Sequence, residues 1–226
     1  SELHDIPAVV YLAHTRGIAT AIDNSNATPL NQNPLAMGVD LVIHTATKYI
    51  GGQSDLVAGL VVGSNERIAA LTRNEGELLG GVCDPFASWL MLRGLRTLGV
   101  RMERHQKSAM AIARLLEMDA RIARVIYPGL ENHPQAYLAR KQMRGQCGML
   151  SFLPRDSSRE KVFKIINALR YFAIAVSWGG YESLAIPAHV TDSTSGKKTW
   201  IIRLSVGLES VEDLKADLYQ AMGVGD

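Results

Sequence analysis

Long apolar runs are missing from this chain of 226 residues. No stretch approaches the roughly 18 residues that a membrane-spanning helix needs, so neither a transmembrane segment nor a membrane partner is expected. Cysteine is scarce: Cys83 and Cys147 stand far apart and outside any CxxC pattern. That argues against a disulfide framework and a zinc site, and for a reducing compartment, with the cytoplasm as the expected location. Charge of one sign is also lacking. A net charge of +2 leaves no electrostatic footprint for nucleic acid or an acidic surface. His4, His14, His105, His133 and His189 form no HxH or HExxH spacing, so no metal site is expected. The opening SELHDIPAVV has no basic region followed by an apolar core and does not read as a signal peptide. Internal repeats and low-complexity tracts are absent too. What is present, 47% hydrophobic residues, is the composition of an ordinary soluble protein with ample material for a core.

Along the chain, PAVVYLAHTR (7–16) reads as a helix with Pro at its first turn and Gly17 as its stop. IATAID (18–23) reads as a short strand ending in an acid, and NSNATPLNQNP (24–34) as a loop. DLVIH (40–44) and LVAGLVVG (56–63) are apolar on successive residues, which suits strands of a parallel sheet buried on both faces. Ser64 or Asn65 caps a following helix. A helical pattern runs from Asp84-Pro85 to about Asp119, with Gly94 and Gly99 marking a bend or break and a domain boundary. Beyond it, strands are predicted at 122–126, 148–153 and 201–207, and helices at 134–143 and 158–170. A last helix opens on the capping box Ser210–Asp213, with Val211, Leu214, Leu218 and Met222 on one face. DSTSGKK (192–198) reads as a loop. Cys83 and Cys147 read as small buried hydrophobes, and His44 and Tyr49 as packing residues.

The stretch IHTATKYIGGQSD (43–55) stands out. A lysine between two threonines follows a core strand and precedes paired glycines. Open α/β sheets place ligands outside the carboxyl ends of their strands, and both Asp23 and the Thr45-Ala46-Thr47-Lys48 run fall there. The set suits pyridoxal phosphate (PLP). A lysine amine can form a Schiff base with the aldehyde. Thr45 and Thr47 can donate to phosphate oxygens, and Asp23 can pair with the pyridine nitrogen and keep the ring an electron sink. Gly51 and Gly52 permit close backbone approach. A surface lysine and a loop-capping aspartate are the bland alternative.

AIDNSNATP followed by DLVIHTATKYIGGQSDLVAGLVV resembles the Cys/Met-metabolism family of PLP enzymes, the cystathionine lyases and synthases and their sulfhydrylase relatives. SWGGYESL (177–184) and IIRLSVGLE (201–209) agree with it, so the resemblance covers nearly the whole chain. It implies an α/β fold, the C-terminal part of a fold type I (aspartate aminotransferase-like) large domain over 1–94 and a smaller α/β domain over 95–226. It implies Lys48 as the catalytic Schiff-base lysine and proton shuttle, Asp23 as the ring partner, and Thr45 and Thr47 as phosphate donors. Thr45 stands where the family more often has Ser, and Gln53 where it usually has His. Arg203 matches the arginine that clamps the substrate α-carboxylate, and Ser177 lies in the segment helping to hold it. Trp178 looks like the bacterial cystathionine β-lyases, where γ-enzymes more often carry Leu.

The implied reaction is β-elimination from L-cystathionine, giving homocysteine, pyruvate and ammonia, a step of transsulfuration toward methionine. A γ-lyase, γ-synthase or O-acyl-homoserine sulfhydrylase is the alternative within the family, and a truncated non-catalytic chain with an interaction role the alternative outside it. Family members are about twice this length. The chain is therefore expected to be the C-terminal piece of a longer enzyme whose N-terminal half is its missing partner, inactive alone. The resemblance further implies a small amino-acid substrate and a homotetramer with active sites shared across a dimer.

Overall fold

The computed structural model describes residues 2–191, 196 and 198–223. Most of the predicted 192–198 loop lies outside these. The chain forms two compact units, residues 2–99 with 137–146, and residues 100–136 with those from 147 onward.

In the first unit, helix α1 (Ile6–His14) starts where the Asp5 side chain accepts from Ala8 N–H, and the chain reverses at Gly17, whose φ of +67° suits glycine. Strand β1 (Ala21–Asp23) leads through a loop holding the short helix α2 (Thr28–Asn31) to β2 (Leu41–Thr45) and β3 (Gly59–Gly63). Helix α3 (Asn65–Leu71) is capped by Ser64 Oγ, and runs through a wider turn into the one-turn α4 (Glu77–Leu79). The long predicted helix is two: α5 (Pro85–Leu95), capped by Asp84, and α6 (Leu98–Met118). Helix α7 (Ala136–Gln142) is tied to α1 by its last residue: Gln142 Nε2 donates to His4 C=O at 2.8 Å, and Ile6 N–H to Gln142 Oε1 at 3.4 Å.

β1 and β2 pair in parallel, with Asp23 opposite Ile43. β3 departs from expectation. It runs antiparallel to β2, starting at Thr45 opposite Gly59, and Val61 and Val62 on it are exposed. The cause is the connection: residues 46–58 turn back at the carboxyl end of β2 with no crossover helix, and that geometry permits only an antiparallel neighbour. Ile6, Val10, Val39 and Val42 pack beneath α1, and Ala46, Ile50 and Met91 beneath α5. Cys83 is exposed rather than buried, while Cys147 is buried.

In the second unit, β4 (Ile122–Ile126), β5 (Met149–Pro154), β6 (Ala173–Ile174), β7 (Leu184–Thr191) and β8 (Lys198–Ser205) form a sheet in the order β4-β5-β8-β7-β6. All pairs are antiparallel except β6 with β7. Helices α8 (Arg159–Ala168) and α9 (Val211–Met222), each capped by a serine, pack with α6 on a shared core. Ile112, Leu116, Phe152, Ile165, Ile202, Leu214 and Leu218 are all buried there. Each such side chain contributes about 1.5–3 kcal/mol relative to exposure.

Candidate active site

In the first unit, Asp23 and Lys48 follow the same edge of the sheet. Asp23 is the last residue of β1, and Asn24 N–H extends the parallel ladder by donating to Ile43 C=O at 2.8 Å. The Asp23–Asn24–Ser25 turn is built closely. Ser25 N–H and Ser25 Oγ–H both donate to Asp23 Oδ1, at 2.9 and 2.5 Å. The same Ser25 Oγ accepts from Thr45 N–H at 2.6 Å. Asn24 is buried, and its Nδ2 donates to Thr28 C=O and Gln32 C=O. Thr28 sits at a φ of +62° with its side chain wholly buried, a strained conformation for a β-branched residue that the loop's own hydrogen bonds hold in place.

After Thr45 the chain winds into a turn over 46–51, closed by Lys48 N–H to Thr45 C=O, Gly51 N–H to Ala46 C=O and Gly52 N–H to Lys48 C=O. Lys48 is half-buried, while Tyr49 and Ile50 beside it are buried. The Thr47 hydroxyl lies on the returning segment: it accepts from Ala58 N–H at 3.1 Å and faces Ala58 C=O at 3.3 Å. Gly51 and Gly94 serve close packing. A Cβ on Gly94 of α5 would lie 2.3 Å from both Ile50 O and Gly51 O, so only glycine lets the helix backbone rest on the Lys48 turn. His44, one residue from that turn, is buried, and among the described residues its Nδ1 has no hydrogen-bond partner. Burial pushes its imidazole below the ordinary histidine range, and the charge of Asp23 opposes that shift in part.

In the second unit, Arg203 lies mid-strand on β8, between Ser151 of β5 and Ile186 of β7. Its Nη2 donates to Ser177 C=O at 3.2 Å. Its Nε is buried without a partner among the described residues, and burial lowers its pKa from the usual arginine value. The planar guanidinium fork matches the geometry of a carboxylate. The segment 177–183 carrying Ser177 and Trp178 is fastened at its far end: Ser183 N–H and Oγ each bond the Glu209 carboxylate at 2.7 Å, and Gly207 N–H donates to Ser183 Oγ at 2.8 Å.

The sequence-predicted residues thus fall into two groups. Ser25 links Asp23 to Thr45, and the Thr47–Lys48 turn follows directly. In the second unit, Arg203 and Ser177 are hydrogen-bonded. The sequence assigns no role to Ser25 or Glu209, and marks Gly94 only as a bend or break. Only for Ser25 was a signal available, as the third member of the Asp-Asn-Ser turn.

A carboxylate ending β1 and a lysine in the turn after β2 are the donor set that an aldehyde cofactor would need. Comparison with known proteins specifies it further. Residues 1–223 match the family model for Cys/Met metabolism PLP-dependent enzymes, and the chain belongs to that family. Cystathionine gamma-lyase of Dictyostelium discoideum is 41% identical over 96% of this chain and 58% of the relative. Cystathionine beta-lyase of Lactococcus lactis subsp. cremoris (strain MG1363) is 41% identical over 96% of this chain and 59% of the relative. Cystathionine gamma-synthase 1, chloroplastic, of Arabidopsis thaliana is 39% identical over 96% and 40%. The chain spans just under three fifths of the first two relatives' length.

Proposed function

We propose that this chain carries the reacting lysine, the ring-nitrogen carboxylate and the substrate clamp of a PLP-dependent carbon–sulfur β-lyase acting on L-cystathionine. The observation that carries the reading is that Asp23 ends β1 and Lys48 lies in the turn just beyond the carboxyl end of its parallel neighbour β2, with the carboxylate held by two donors. The donor set suits the cofactor: an amine for its aldehyde, an oriented carboxylate for its ring N–H, and hydroxyls for its phosphate. Thr45 and Thr47 take the last role, Thr47 turning its single proton from a long 3.3 Å contact with Ala58. PLP, when bound, supplies an electron sink for negative charge at the substrate Cα.

The residues of this chain do the rest. Arg203 and Ser177 hold the α-carboxylate, fixing which Cα bond is broken. Lys48 Nζ removes the Cα proton. The Cβ–S bond then breaks with its electron pair on sulfur, and Lys48 returns the proton to the departing homocysteine thiolate. Water completes the three-carbon remainder as pyruvate and ammonia. Trp178 narrows the pocket around the substrate chain. Residues 1–94 serve as the C-terminal part of the cofactor domain and 95–226 as the small domain. The whole enzyme is a cytoplasmic homotetramer acting on a small amino acid, in transsulfuration toward methionine.

γ-Cleavage is the second reading, since a relative named gamma-lyase stands at the same 41% identity as one named beta-lyase. The test is to load the full-length protein with PLP and supply L-cystathionine. Homocysteine with pyruvate supports the β-lyase; cysteine with 2-oxobutyrate replaces it by the γ-lyase. Neither product, with no visible PLP band, leaves a non-catalytic chain. Lys48→Ala should abolish both the band and turnover.

A further inference from the structure

We infer that Ser25 is a positioning residue that locks the Asp23 carboxylate to the backbone of the strand leading into Lys48. The inference rests on the PLP reading of the site. Ser25 is 5% exposed, so its hydroxyl has little recourse to water. Its two hydrogen bonds have a fixed direction. The Thr45 amide can only donate, so Ser25 Oγ accepts there, at 2.6 Å. The single hydroxyl proton is then left for Asp23 Oδ1, at 2.5 Å. Ser25 N–H adds a second donor to that oxygen at 2.9 Å.

The consequence is geometric. Asp23 itself is exposed, and an exposed aspartate at a strand end samples several rotamers. Two donors on Oδ1 fix the carboxylate plane and leave Oδ2 to meet a ring N–H. The relay from Thr45 N–H through Ser25 to Asp23 also ties that plane to the backbone three residues before Lys48. The aldehyde's lysine and the ring's carboxylate are thereby registered by one hydroxyl, independently of the parallel ladder. Threonine keeps the hydroxyl and can preserve both bonds; alanine removes both.

The experiment uses the full-length protein with Ser25→Ala and Ser25→Thr, measuring PLP dissociation by equilibrium dialysis, the pH midpoint of the visible band, and melting of the cofactor-free protein. Ser25→Ala is expected to weaken PLP retention about ten- to hundredfold, the worth of a hydrogen bond to a charged group. It should also move the midpoint upward, because a less firmly paired ring withdraws less electron density from the lysine linkage. Ser25→Thr should stay within about threefold of wild type, as expected for a retained hydroxyl. Wild-type retention and midpoint in Ser25→Ala would overturn the inference. So would Ser25→Thr failing alongside it with an equal fall in cofactor-free melting temperature, since that marks a purely structural serine. If the wild type shows no visible band, or Lys48→Ala keeps one, the lysine assignment itself fails and takes the inference with it.

Discussion

At the scale of single residues, what could be read beforehand was chemistry with a type attached to it. A lysine between threonines, an acid ending a strand and an arginine in a core strand each carry chemistry legible from residue type and position. Contacts made only by the folded backbone carry no such mark. Gly94 and Gly99 read in sequence as a bend or break, which falls between them after Leu95; what the sequence does not show is that Gly94 also admits the Ile50–Gly51 carbonyls. Gly94→Ala places a methyl 2.3 Å from two carbonyl oxygens, and the helix or the Lys48 turn must move. Overpacking of this kind costs about 1–3 kcal/mol, so a drop in denaturant midpoint together with weaker PLP retention is expected. An unchanged midpoint would mean that the turn yields freely. Arg203→Lys keeps the charge and loses the planar fork. The expected result is a KM for cystathionine raised about ten- to hundredfold with the visible band intact; loss of the band instead would give Arg203 a cofactor role.

At the scale of elements, patterns of apolar residues and caps placed most helices and strands to within a few positions. The exceptions have physical causes. β7 escaped because Pro187 demotes a strand reading; the proline is tolerated where β6 pairs only with Leu184 and Ala185, leaving that side of β7 an edge. Asp217 of α9 is another. Its apolar stripe marks Val211, Leu214, Leu218 and Met222, and nothing in it shows that Asp217 is 3% exposed. The folded chain uses that carboxylate as a clamp on the α8–β6 connection. Arg170 N–H donates to its two oxygens at 2.9 and 3.0 Å, and Tyr171 N–H at 2.8 Å. Asp217→Ala leaves the Arg170 and Tyr171 backbone donors without their buried acceptor. The expected loss is about 2–6 kcal/mol, at roughly 1–3 for each of the two unsatisfied groups. Urea denaturation of the variant against wild type measures it, and a loss below 1 kcal/mol would show that water reaches those amides.

At the scale of the whole molecule, stability should depend on pH through groups that each unit encloses. His44 is 4% exposed and His105 1%. Burial holds both imidazoles below their ordinary value of 6.5, although the bond from His105 Nδ1–H to Val206 C=O at 2.7 Å pulls the other way. The unfolded chain therefore takes up protons first as pH falls. Stability is full above about 6.5 and declines below it, until the folded histidines also protonate, by up to ~1.4 kcal/mol per pH unit for each. Asp40 acts in a lower window. Thr20 N–H, His14, the Thr20 hydroxyl and Arg67 together hold its carboxyl well under its ordinary 3.8, so its contribution is complete above that value and lost only at more acid pH. Between pH 6.5 and about 4 the histidine contribution should dominate. Denaturant midpoints at pH 7.5 and 5.0 should differ clearly in the wild type and less in His44→Gln, which carries no titrating ring. Equal midpoints in the wild type would mean that these imidazoles accept protons without opening the fold.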